Sequence, residues 1–288
     1  MEPIKSLALY QNGVYVENAT PVQRLLQLAQ AMRPVQTRFP LIRIGSAHDG
    51  GYLEPDDLSG ISACFSPGVE VNSSFELDLL QKTGIGSHLA DYSVDGPPAN
   101  FQPKSFIKKF LGPNNNPIHI TLEAWVKSQA EYQLEHDFLL QMDIEGGEYL
   151  TLLATPQELL RRFRIIVLEI HYVECWAHPL FFNTVEAMFE KVLADFYVVH
   201  NHPNNHGALL NLNGFSAPQF FEITLLRRDR SPALAYCREF PHPLDNPCYP
   251  IRDELVLPYN WFARNDKVIL AVNKEHDPAG SYDRLHQY

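Results

Sequence analysis

The sequence predicts an α/β fold: a mostly parallel sheet of seven strands that ends in an antiparallel hairpin and carries helices on both faces. Three observations predict it. Seven short apolar runs of strand length lie between residues 61 and 228. Helical patterns separate the earlier runs, the alternation that a parallel sheet needs because each crossover must return the chain to the same end. The last two runs are joined by PNNHGALLNLNGFSAPQ, a turn-rich link suited to antiparallel pairing.

In chain order, residues 21–32 (PVQRLLQLAQAM) space Val22, Leu25, Leu26, Ala29 and Met32 as one face of a helix, with Pro21 at its start. The strand runs are ISACFS (61–66), GSHLADY (86–92), PIHIT (117–121), DFLLQMD (137–143), RIIVLEIH (164–171), FYVVHNH (196–202) and FFEITLLRR (220–228). Helices are expected over 72–81, 122–132, 147–163 and 183–196, the first with Ser73-Ser74-Phe75-Glu76 as a capping box. Residues 231–258 are Pro-rich and irregular, and the tail after Asn273 is polar. The expectation is one domain over 1–288: a helical lead-in (1–40), an α/β core (41–230) and an irregular C-terminal segment (231–288).

The chain has 288 residues, 23 Lys+Arg and 34 Asp+Glu, a net charge of −11, so a surface built for nucleic-acid phosphates is disfavoured. Its 45% apolar content supports a full-size core without staples. The four cysteines are far apart, with no CxxC pair, and are expected as reduced thiols. No signal-peptide pattern opens the chain, and no apolar run approaches the ~18 residues of a membrane span. A cytoplasmic protein with no membrane partner is therefore expected, and a homo-oligomer is compatible with the sequence.

In an open parallel sheet, ligands bind beyond the carboxyl ends of the strands, so those ends hold the candidates. The first strand runs into Ser66-Pro67-Gly68-Val69-Glu70, a tight turn before a helix, without the GxGxxG of a dinucleotide site. The second ends at Asp91, placed to accept both hydroxyl hydrogens of a ribose. The fourth delivers Asp143-Ile144-Glu145-Gly146-Gly147-Glu148, three acids that repel one another unless a cation or a proton is shared. The fifth ends in Glu169 and His171. Asp143 and Glu169 together suggest a divalent metal such as Mg, or Glu169 orients His171 as a base. The sixth strand runs into His200, His202 and His206, which cluster with three asparagines. Cysteine or further histidine ligands at matching spacing are missing, so structural zinc is not expected there; His202 is a second candidate base.

Together these stretches resemble the FkbM-type methyltransferases, a branch of the S-adenosylmethionine-dependent class. The resemblance begins at Arg43-Ile44-Gly45 and Asp49-Gly50-Gly51-Tyr52, and passes through Phe65-Ser66-Pro67-Gly68, Phe75-Glu76, Asp91 and Asp143-Ile144-Glu145-Gly146-Gly147-Glu148. It ends with Glu169-Ile170-His171, the His200/His202 loop and Glu222-Ile223-Thr224. It implies a Rossmann-like class I methyltransferase fold and methyl transfer to a hydroxyl of a sugar, glycan or small natural product. Residue by residue, it implies that Ser66, Gly68 and Glu70 line the methionine part of the cofactor. Asp91 would hold its ribose, Thr121 would lie near its adenine, and Asp143 would receive its ammonium or a metal. His171, His202 and Glu145 are left as the catalytic candidates. Members commonly carry a second glycine in the first turn, where this chain has Pro67 and Val69 around Gly68. That departure motivates the alternative, a non-catalytic binding or scaffold protein on a degenerate methyltransferase fold. A nicotinamide oxidoreductase is disfavoured by the missing GxGxxG. The acceptor pocket is expected to draw on Phe101, Phe106, Tyr236, Tyr249 and Trp261.

Overall fold

A computed structural model describes residues 17–70, 72–99 and 101–262. The start of the expected lead-in (1–16) and the polar tail lie outside these residues. The first strands are β1 (Val35–Gln36), β2 (Leu41–Gly45), β3 (Gly51–Pro55), β4 (Ile61–Pro67), β5 (Ser87–Ala90), β6 (Ser105–Ile107), β7 (Phe110–Leu111) and β8 (His119–Ile120). They are followed by β9 (Asp137–Met142), β10 (Phe163–Ile170), β11 (Phe196–Pro203), β12 (Leu209–Leu212), β13 (Phe215–Pro218), β14 (Phe221–Arg227) and β15 (Ala235–Tyr236). The helices are α1 (Val22–Ala31), α2 (Ser74–Thr83), α3 (Leu122–Lys127), α4 (Glu148–Ala154), α5 (Gln157–Leu160) and α6 (Pro179–Leu193).

Seven strands form the central sheet, in the order β11-β14-β10-β9-β4-β5-β6. β6, β5, β4, β9 and β10 are parallel neighbours, and β14 alone runs antiparallel, to β10 on one side and β11 on the other. The expected terminal hairpin takes a different form. β14 inserts inside the sheet, and residues 204–220 between it and β11 carry a small hairpin of their own, β12–β13.

The third strand of the sheet is another correction. PIHIT was expected there, but among the described residues β8 pairs only with β7 in a separate two-stranded ribbon, and the edge strand is β6, within the connection that follows β5. A three-residue edge strand carries too few side chains for a periodicity to show. The helix expected over 147–163 is interrupted at Pro156, which precedes α5 and has no N–H to continue α4.

Alternation along the strands sorts the core into two layers. Phe138, Leu140, Met142, Ile166, Leu168 and Ile170 point to the side covered by α1, α3, α4 and α6. Leu139, Ile165 and Val167 point to the other, where α2 packs through Phe75 and Leu79 beside the β2–β3 hairpin through Ile44 and Tyr52. This second face is thus covered in part by a hairpin where helices were expected; the Thr224 hydroxyl donates to the Leu53 carbonyl at 2.6 Å to tie it down. Towards the carboxyl ends of the strands, the same alternation puts Gln141, Glu169, Glu222 and His202 on the hairpin face. The face changes from apolar to polar along its length, and of its polar residues Gln141 and Glu169 line the cleft.

Candidate active site

From β4 the chain steps one way to β5 and β6, and on the other side β9 is followed by β10. The order therefore reverses between β4 and β9, where an open α/β sheet leaves a crevice. A cleft of about 750 Å³ opens there, floored by the turns after β4, β5, β9 and β10 and walled by Asp49 and Tyr52 of the hairpin.

Gly68 lies in this floor with φ +84°, a left-handed conformation that few other residues tolerate. Two residues on, Glu70 is also left-handed, at φ 44°. Its N–H points at Asp91 and donates to Oδ2 at 2.8 Å, while Oδ1 accepts from the Ser93 N–H and hydroxyl, each at 2.7 Å. Three donors hold the Asp91 carboxylate in one orientation at the tip of β5, where the sequence placed a ribose holder.

At the ends of β9 and β10, acids surround one imidazole. The Nδ1 of His171 is 3.3 Å from Oε1 of Glu148, which also accepts the Ile144 N–H at 3.0 Å. Its Nε2 is 3.6 Å from Glu145, 3.7 Å from Asp143 and 4.0 Å from Glu169. Burial pulls the basicity of His171 down, but the Glu148 hydrogen bond and the charges of Glu148, Asp143 and Glu145 outweigh it and raise the pKa above the ordinary histidine value. Burial also raises the Asp143 carboxyl, to about 7, with Glu148, Glu145 and Asp49 adding to the rise and His171 opposing it. The buried Oδ1 of Asp143 has no hydrogen-bond partner. Glu169 is pushed well above the carboxylate range, first by burial and then by Asp143, Glu222 and Asp49; its Oε1 accepts from Asn204 Nδ2 at 2.8 Å.

Gly68, Glu70, Asp91, Asp143, Glu145, Glu169 and His171 are thus brought to one cleft. Ser66 is fully buried beneath it and does not line it. Its hydroxyl lies between the carboxylate of Glu76 and Oε1 of Gln141, the latter at 2.6 Å. One hydroxyl proton cannot serve two acceptors, so Glu76 carries a proton or the Gln141 amide is turned. Burial raises Glu76 to about 6. Glu76 therefore faces inward, and the expected capping box does not form: Asn72 Oδ1 accepts the Ser74 N–H instead, at 3.0 Å.

Thr121 does not line the cleft; it caps α3, its hydroxyl accepting the Ala124 N–H at 3.1 Å. His202 lies outside the cleft as well. Its Nδ1 is 3.2 Å from Glu222 and its Nε2 2.6 Å from Glu254, which leaves neither nitrogen free to serve as a base. Asp143 and Glu169, the expected metal pair, both line the cleft, and the donor atoms of Asp143, Glu145 and His171 converge there within 4.8 Å of one another.

Three of the aromatic residues expected around an acceptor are packed elsewhere. Trp261 is buried against Trp176, Phe215 and Phe221, and Tyr236 lies under the Arg33 guanidinium. Phe101 packs with Val69 and Leu89. Phe110 and Phe220 line the cleft in their place. Sequence reasoning missed these two and gave no role to Asp49, Tyr52 or Gln141. Gln141 was legible in principle, one position before Met142 on the face that alternation sends towards the cleft.

No protein-family model matches the chain, and no curated protein matches it. Among solved structures, a fibrillarin/Nop5p complex aligns over 68% of this chain and 98% of that one, at 11% identity and a TM-score of 0.33. A likeness of that degree is too slight to carry either fold or function. No helix among the described residues is long and apolar enough to cross a membrane.

Proposed function

We propose that the chain is an S-adenosylmethionine-dependent methyltransferase acting on a hydroxyl of a sugar, glycan or small natural product. The observation that carries this reading is Asp91, held by the Glu70 N–H at 2.8 Å at the tip of β5, on the rim of a cleft at the β4/β9 reversal. A fixed carboxylate there suits a vicinal diol, and the turn at Gly68 contains no dinucleotide fingerprint to suggest a pyrophosphate instead. The sheet, in which β14 alone runs against the other six strands, supports the mostly parallel architecture that the sequence resemblance implies.

The residues present fit a cationic cofactor. The unpartnered Asp143 Oδ1 offers an acceptor to an ammonium, and the surrounding acids favour positive charge. S-adenosylmethionine supplies an electrophilic methyl group on a sulfonium. The protein must then orient the acceptor oxygen and take its proton. His171 is the base best placed for this, with Glu148 on Nδ1 holding the ring so that Nε2 faces the cleft acids. A cation bound beside Asp143 repels the proton of the imidazolium, so cofactor binding drives His171 towards its neutral, basic form. Glu145, largely exposed at the rim, adds negative charge beside Nε2.

The reading is tested by thermal unfolding with S-adenosylmethionine or its demethylated product, together with transfer of labelled methyl to a panel of sugars and alcohols. Both ligands are expected to raise the melting temperature, and Asp91→Ala to abolish the rise. Absence of stabilisation at millimolar ligand would overturn it and leave the non-catalytic alternative.

A further inference from the structure

We propose that His202, Glu222 and Cys248 form a binding site for one Zn²⁺ ion that fastens the C-terminal segment to the end of the sheet. The three residues are far apart in sequence, which is why spacing gave no sign of them. β11 and β14 place His202 directly opposite Glu222, and residues 231–262 fold back to lay Cys248 on the pair. All three are buried, at 2%, 4% and 3% exposure.

The donor geometry fits a tetrahedral ion. His202 Nδ1 lies 3.2 Å from Glu222 Oε2, and Cys248 Sγ lies 3.3 Å from Glu222 Oε1; one donor atom from each residue falls within 4.8 Å of the others. Zinc bonds of about 2.0 Å to nitrogen or oxygen and about 2.3 Å to sulfur span tetrahedral edges of roughly 3.3–3.5 Å, close to these two contacts; they end on different oxygens of Glu222, so the carboxylate turns to offer one of them to the ion. The outer contact is in place too. Glu254 Oε1 sits 2.6 Å from His202 Nε2, so an N–H there orients the ring and leaves Nδ1 as the ligand, the arrangement usual for a zinc-bound histidine.

The donor set selects the ion. A thiolate with an imidazole and a carboxylate suits Zn²⁺, whereas Mg²⁺ and Ca²⁺ take oxygen ligands. On binding, the Cys248 thiol proton and the Nδ1 proton leave to solvent as the Sγ–Zn and Nδ1–Zn bonds form; no electron is transferred. The ion, Cys248 thiolate, Glu222 carboxylate and neutral His202 with its Glu254 partner then make a site of small net charge. Without metal, the same atoms form a cluster that shares protons only. Cys248 and Glu254 both belong to the segment after β14, which among the described residues has one strand, the short pairing of β15 with β1. A metal there supplies a cross-link to a segment with little secondary structure.

The test uses the full chain, stripped with a chelator and titrated with Zn²⁺ against a chromophoric competitor, then with Co²⁺ as a spectroscopic stand-in. One zinc per chain is expected at submicromolar free metal, with release of protons. The Co²⁺ form should show a sulfur-to-cobalt charge-transfer band in the near ultraviolet. That band should vanish in Cys248→Ser and persist when Cys64, Cys175 and Cys237 are all changed to Ser, which decides the matter should Cys248→Ser fail to fold. No zinc uptake at micromolar metal would overturn the site. So would cobalt binding without a sulfur band, the result expected if the ion sat on Asp143, Glu145 and His171.

Discussion

A Cβ on Gly68 would lie 1.6 Å from the carbonyl oxygen of Asp143, so the turns after β4 and β9 meet backbone to backbone at the floor of the cleft. The obstacle is main chain and cannot swing aside as a side chain would. Gly68→Ala adds this clash to the strain of φ +84°. We expect it to cost about 3 kcal/mol or more in denaturant unfolding, with loss of ligand stabilisation. Stability equal to that of the parent chain would show that the two turns can separate.

This contact illustrates what the sequence could and could not reveal. Strands β4, β5, β9, β10, β11 and β14 were legible because each is an apolar run with enough residues to alternate, and the acids at their ends followed from where ligands bind in such sheets. β6 was not, since three residues at an edge leave no period. Ser66 and Thr121 entered the site through the family resemblance, whereas Glu76 and, for Thr121, the first turn of its own helix α3 engage their hydroxyls. The surroundings of His202 were not legible either: its partners Glu222 and Glu254 lie 20 and 52 residues further along the chain.

His171 should matter to the rate more than to binding. Its ring is held by Glu148 at 3.3 Å, and no other imidazole in the cleft is surrounded by these acids. His171→Gln is expected to lower methyl transfer about 10²- to 10⁴-fold while the thermal shift with the demethylated product persists. An unchanged rate constant would remove His171 from the role of base.

Asp143 links ligand affinity to pH. Its carboxyl, raised to about 7 chiefly by burial, is protonated in the free protein below neutrality and ionised above it. A cationic ligand binds the ionised form, so affinity for S-adenosylmethionine should climb as pH rises through about 7 and then level off. Below that point, binding should release a proton, measurable as a dependence of calorimetric heat on buffer ionisation. Asp143→Asn should flatten the profile; a profile unchanged by that substitution would assign the titration to another group.

Glu54 makes a stability prediction independent of the cleft. It is fully buried on β3, both carboxylate oxygens lack partners, and burial raises its pKa to about 8, against a weaker lowering by Lys82. The folded state therefore keeps a proton that the unfolded chain sheds above about 4.5. Between these values the folded state binds more protons, so stability falls as pH rises through the window. Glu54→Gln mimics the protonated form at every pH and abolishes this loss. The variant should match the parent near pH 4.5 and exceed it at pH 8 by on the order of 4 kcal/mol, several degrees in melting temperature. A gap between the two that stays constant with pH would mean that water or a cation reaches Glu54 and keeps it ionised in the folded protein.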